Sequence, residues 1–202
     1  MASSTTRAAS ALMLCCALLA GCASVRKPQA DLFDLGLASA AADMPALPPM
    51  ALAEVGTPEW LDSPAIFYRL AYESARQPRP YANSRWSMPP AQLFAQRLKS
   101  RMSQAGGTLL SASDGATGIP VLHLDADEIS QVFDSPARSA GMVAVRLSVL
   151  NGRRLLGQKS FVRRMPAASA DAAGGVDAIT AASDAVIADM LKWLASLDLR
   201  AP

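Results

Sequence analysis

Few side chains in this sequence could act as a nucleophile, a base or a metal ligand. His123 is the only histidine, and the three cysteines are Cys15, Cys16 and Cys22. His123 opens the run His-Leu-Asp-Ala-Asp-Glu, so Asp125 and Asp127 follow it at alternate positions. On a strand, alternate residues line one face. A histidine beside two carboxylates could form a metal site or a base–carboxylate pair, and an enzyme built on His123 and Asp125 would follow from that. The plainer reading is the solvent side of an amphipathic strand, and it is the one we favour. One histidine and three cysteines exclude a zinc finger, a multi-histidine metal site and a disulfide framework. The sequence also lacks a Gly-rich phosphate loop, a GxSxG elbow and an HExxH motif. Asp114-Gly-Ala-Thr-Gly118 has an acid and glycines but not the ligand series of a calcium loop. Ala172-Ala-Gly-Gly175 reads as an alanine-rich loop before a helix, with no nucleotide site.

The position of the cysteines is more informative than their number. Arg7 is the only charge before Arg26, and an apolar stretch runs from Ala11 to Ala20. A short basic region, an apolar run and a small-residue cleavage site make a secretory signal. The stretch is short and poor in large aliphatics for a membrane-spanning helix, which needs about 20 apolar residues. It ends Leu19-Ala20-Gly21-Cys22, which resembles the bacterial lipobox. Small residues at Ala20 and Gly21 let the chain lie extended in a signal peptidase. The Cys22 thiol takes a diacylglyceryl group through a thioether, and cleavage frees its amine for a further acyl chain. Two or more chains make anchoring stable where one is marginal. Residues 1–21 are then a signal peptide, and Cys15 and Cys16 leave with it. The remaining chain has no free thiol and so no cysteine nucleophile. Its only prosthetic group is the lipid on Cys22, and no cofactor or metal is expected. Ala23, rather than an aspartate, favours export to the outer membrane.

Of the 202 residues, 51% are apolar and 18% charged, and the net charge is +2. Such a chain is not disordered overall, and it is too weakly charged for a dedicated nucleic-acid binder. Forty residues are alanine and 5% aromatic, so the core is modest. Charge is uneven along the chain. Residues 23–75 and 165–202 are net acidic, while 76–164 carry an excess of arginine and lysine. A basic middle could meet anionic headgroups or an acidic partner. The plainer alternative is that acids from the flanking segments pack beside it in the fold.

These residues sit on a simple series of elements. Residues 22–48 carry three prolines, with a fourth at Pro49, and an alanine-rich stretch, and read as a flexible tether after the lipidated cysteine. Its one island, Leu32-Phe33-Asp34-Leu35-Gly36, could pair as a short strand. The domain, 49–202, begins with strands over 50–55 and 65–72 around a turn-like 57–64, then a hairpin or loop over 73–86. Ala91, Phe94, Leu98 and Met102 form one apolar stripe of a helix over 90–104, with Arg97, Lys99 and Arg101 on its other sides. Strands follow over 119–129, 142–150 and 155–164, the last two joined by the turn signal Asn151-Gly152. On the first, Leu122, Leu124 and Ala126 share a face and Ile129 falls with His123 on the other. A helix over about 175–197 closes the chain, with Ile179, Ala182, Val186, Met190, Trp193 and Leu197 as its seam. This order implies an α+β domain of two layers: a mixed, mostly antiparallel sheet of about five strands with two main helices packed on it.

The lipobox, Phe33-Asp34-Leu35-Gly36, the stretch Met50-Ala-Leu-Ala-Glu-Val-Gly-Thr-Pro-Glu-Trp-Leu-Asp-Ser-Pro-Ala-Ile-Phe-Tyr-Arg-Leu70, and Arg85-Trp86 before a helix together resemble the ABC-type transport auxiliary lipoprotein family. Phe67, Tyr68, Arg69 and Trp86 match its pattern, with packing as their plainest role. The island differs from the family's usual Tyr-Tyr-x-Leu. The resemblance implies a small α/β sandwich, no catalysis, and a lipoprotein held in the inner leaflet of the outer membrane and facing the periplasm. It implies partnership with an MCE-domain protein, a permease and an ATPase that together move lipids or other hydrophobic molecules between membranes. A homo-oligomer is compatible with that role, and nucleic acid is not expected. Two rival functions come from the residues themselves: a carrier that holds an acyl chain in its own apolar pocket, and the periplasmic enzyme using His123 and Asp125.

Overall fold

A computed structural model describes residues 29–38 and 47–199. The expected signal peptide, residues 1–21, and Cys22 lie outside the described residues. Among the described residues eight strands form one mixed sheet: β1 (Asp31–Phe33), β2 (Met50–Leu52), β3 (Ala65–Leu70), β4 (Ala75–Trp86), β5 (Leu109–Ser111), β6 (Val121–Ser135), β7 (Arg138–Asn151) and β8 (Arg154–Pro166). Three α-helices accompany them: α1 (Ala71–Ser74), α2 (Pro90–Gln104) and α3 (Ala172–Ala195). The two-layer α+β architecture is the expected one, with more strands than the expected five.

The long strand β6 organises the sheet. β7 runs antiparallel to it along its whole length, and β8 runs antiparallel to β7. On its other side β6 takes two parallel neighbours in turn. β2 pairs at Val121–Leu122, with β5 beyond it, and β3 pairs at Gln131–Phe133, with β4 and then β1 beyond. The antiparallel ladders are the longest, but the shorter pairings with β2 and β3 are parallel.

The helix over 90–104 forms as the sequence implies. Pro90 occupies its first turn, where no N–H is needed. Ala91, Phe94, Leu98 and Met102 are all at most 2% exposed. Burying each of the three larger side chains contributes about 1.5–3 kcal/mol. The expected core faces of β7 and α3 are buried as well: Val143, Val145, Leu147 and Val149 on the strand, Ile179, Ala182, Val186 and Met190 on the helix. The turn expected at Asn151-Gly152 joins β7 to β8, with Asn151 as the last paired residue and Gly152 at φ +58°.

Four expectations need correction. Of the hairpin or loop expected over 73–86, the loop is wrong and the hairpin is longer than expected: a helical turn leads into β4, a strand antiparallel to β3. Pro78 and Pro80 mark its outer stretch, because β1 covers β4 only at Ser84–Trp86 and proline is tolerated on an edge. The β6 ladder shifts register between Ala126 and Glu128. That bulge reverses the alternation, so Ile129 turns into the core instead of sharing a face with His123. Ala172-Ala-Gly-Gly175 is not a loop but the first turn of α3, begun early because Asp171 Oδ1 accepts the Gly174 N–H at 2.8 Å. Arg97 and Arg101, expected on the outer sides of α2, are only 6% and 9% exposed. They face α3, where Asp184 meets them.

Candidate functional site

The residues of the expected lipobox, Leu19, Ala20, Gly21 and Cys22, fall outside the described residues, but the chain from residue 29 to 38 does not. β1 lies parallel on the end of β4, with Leu32 opposite Arg85 and Phe33 opposite Trp86. Asp34 Oδ1 accepts the Gly36 N–H at 2.6 Å, which closes a tight turn with Gly36 at φ +65°. Leu35 is buried behind that turn. Arg97 Nη1 donates to the Leu35 and Gly36 carbonyls at 2.6 and 3.0 Å, and Gln104 Nε2 donates to the Ala38 carbonyl at 3.0 Å. The same guanidinium grips Asp184 with Nε and Nη2 at 2.8 and 2.6 Å. A two-pronged pair of this kind is strong because it is charged, planar and largely dry. Residues 31–38 are thus a strap fastened to both long helices through one arginine. The island pairs as the short strand its sequence allowed, but nothing in the sequence marks Arg97 as its fastener. Arg97 looks like an ordinary surface cation until α3 is packed beside α2.

The family-pattern residues divide between two faces of β3. Phe67 and Arg69 point to one side with Trp60. The Phe67 and Trp60 rings meet edge to face at 5.1 Å, and the Arg69 guanidinium lies 5.1 Å from the Trp60 ring centroid. Arg69 also donates to both Glu128 oxygens at 3.0 and 2.8 Å and to the Ala75 carbonyl at 3.2 Å. It therefore clamps β3 to β6 and to the start of β4. Tyr68 points the other way, against Tyr81 and Phe133. The Tyr81 hydroxyl donates to Gln131 Oε1 at 2.7 Å, and Gln131 Nε2 donates to Ser139 at 2.7 Å. Burial, with smaller contributions from Tyr68 and Asp171, raises the Tyr81 pKa well above its ordinary value. Trp86 is 1% exposed, in the core. All four positions hold the sheet together, and they do not converge on a shared site.

His123 is exposed on β6, opposite Ser148 of β7. Asp125 and Asp127 both face Arg146, at 3.3 and 3.9 Å, rather than the histidine. Gly56 packs so close that a Cβ there would meet Asp125 Oδ1 at 2.3 Å. Among the described residues, no group of three or more His, Cys, Asp or Glu side chains is placed to hold a metal.

The basic middle of the chain is extensively paired. Arg79 meets Glu73 at 3.1 Å, Arg164 meets Asp134 at 2.7 Å, and Arg163 meets Asp189. Glu73, Asp184 and Asp189 come from the acidic flanking segments, so the fold brings the opposite charges together. A cleft of 460 Å³ opens between the end of β2 and α2. Leu52, Val55, Ala91 and Ala95 line it, but Glu54, Asp62 and Lys99 share the lining. No described helix is long and apolar enough to cross a membrane.

Among solved structures, the fold matches that of protein XCC0632 from Xanthomonas campestris, a DUF330 protein. The TM-score is 0.68 at 15% identity, covering 80% of this chain and 93% of that one. A second crystal structure, of an uncharacterized protein, matches at TM-score 0.67 and 13% identity, over 82% and 99% of the two chains. At these identities the likeness is one of fold. No curated protein matches the chain. Residues 33–191, from the strap to the last turns of α3, match the family described as the ABC-type transport auxiliary lipoprotein component. The chain therefore belongs to the ABC-type transport auxiliary lipoprotein family.

Proposed function

We propose that this protein is the outer-membrane end of an MCE-type ABC transport system that moves lipids or other hydrophobic molecules between membranes. In this reading Cys22 carries the acyl chains, the domain faces the periplasm, and its surface docks an MCE-domain partner. The observation that carries the reading is a family match that begins at residue 33, soon after a lipobox ending at Cys22. Ala23 supports the outer membrane as destination. The paired charges and the packed β3 cluster suit an adaptor, which needs a rigid body more than a reactive group.

A domain that itself held an acyl chain is less well supported. That role asks for a concave, mostly apolar pocket. The clefts along β2 and α2 are open, with charged groups in their walls. The side chains beneath them, such as Met50, Phe94 and Leu98, are packed in the core. The docking reading is tested by cross-linking in intact cells followed by capture of the lipoprotein. The MCE-domain protein encoded beside it is expected in the captured material from the wild type and absent from a Cys22→Ser strain. Its absence from both would sink the docking role.

A further inference from the structure

Building on the reading that Cys22 is acylated, we propose that the strap, residues 31–38, is the face of the domain that seats on the bilayer, with Leu32 and Leu37 entering the interfacial region. Two observations carry this. The first is chain length. Only nine residue steps separate Cys22 from Asp31, where the chain joins the sheet. Fully extended, nine residues span about 30 Å. A free tether reaching residue 48 would span roughly 90 Å on the same geometry. A compact unit of this size is about 40 Å across. Fastening β1 therefore replaces a long leash by a short one, and it fixes which edge of the sheet lies nearest the membrane.

The second observation is what that edge displays. Leu37 is 97% exposed and Leu32 is 64% exposed. Between them Leu35 is 7% exposed, turned inward and held by Arg97. The strap thus offers two apolar side chains outward on a backbone that is pinned from behind. Isolated exposed leucines are ordinary on a protein surface. These two lie at the point where a short leash holds the chain against lipid. Arg85 lies opposite Leu32, with Asp31, Asp34 and Asp177 on the same edge, and in sequence Arg26 and Lys27 precede the strap, so neither sign of charge dominates this part of the chain. The surface suited to this edge is a phosphatidylethanolamine-rich, largely zwitterionic leaflet, and the seating is apolar rather than ionic.

The test exploits the absence of any other thiol. Single cysteines replace Leu32, Leu37, or, as a control, Val162 on the far edge strand, in the full chain with native acylation. Each is labelled with an environment-sensitive dye and reconstituted into phosphatidylethanolamine-rich vesicles. The dyes at 32 and 37 should shift to the blue and lose quenching by aqueous iodide, unchanged by high salt, while the dye at 162 stays aqueous. Dyes at 32 and 37 as exposed as that at 162, on protein that floats with the vesicles, would overturn the proposal. So would a shift that salt abolishes, or one that appears only when the MCE-domain protein is added. Mass spectrometry of Cys22 tests the acylation separately. Should it carry no lipid, the same dyes on a Cys22→Ser chain, held to chelating vesicles by a histidine tag at residue 22, still decide whether the strap seats.

Discussion

Asp171 illustrates how one side chain places an element. Its carboxylate accepts the N–H of Gly174 and a hydrogen bond from Ser169, and these hold its pKa below the ordinary 3.8. The folded value is depressed relative to the unfolded one, so the charged cap adds stability above about pH 4 and loses it as the pH falls through the folded value. Asp171→Asn keeps an acceptor but does not titrate. Its urea midpoint should therefore fall less steeply than the wild type's between about pH 5 and pH 2. Parallel acid limbs would contradict this account of the cap. At this scale residue type is an uneven guide. His123 and Asp125 stand out by type, yet the fold gives Asp125 to Arg146. Arg97 looks like a surface cation of its helix, yet it fastens the strap to two helices. Residue type shows what a group can do, but its partners come from elements far apart in the chain, here Asp184 on another helix.

At the scale of elements, periodic patterns were legible wherever one face meets the core. The stripe of α2, the alternation of β7 and the seam of α3 were all visible, because burial imposes spacings of about 3.6 and 2 residues. What broke the pattern was hidden. The β6 bulge and the edge prolines of β4 depend on neighbours that periodicity does not reveal. The approach of α3 to the sheet depends equally on a small residue whose reason lies elsewhere in the chain. A Cβ on Gly141 would lie 2.3 Å from the Ile179 backbone nitrogen and 2.7 Å from the Ala178 carbonyl oxygen. Both are backbone atoms and cannot step aside, so α3 can lie on β7 only where that side chain is missing. Gly141→Ala should lower stability by about 3 kcal/mol, at the upper end of overpacking costs, as a reduced urea midpoint. A change below about 0.5 kcal/mol, the range of neutral surface substitutions, would mean that the helix can lift without cost.

For the whole molecule, the mixed two-layer domain was visible in the order of elements, while three of the eight strands are only three residues long and leave almost no pattern. Those short strands matter to function. β1 turns what reads as a tether into part of the domain's edge, and β2 and β5 frame the cleft beside α2. The result is a domain with many of its charges paired internally, whose first strand joins the sheet nine residues beyond Cys22. Transport by such a component depends on where it is held. The most direct measurement is mass spectrometry of the protein from separated membrane fractions, together with its Cys22→Ser variant. The account predicts a chain beginning at an acylated Cys22 in the outer-membrane fraction, and a variant that is soluble or uncleaved and does not support transport. An unmodified Cys22, or full transport by an unlipidated, secreted domain, would contradict it.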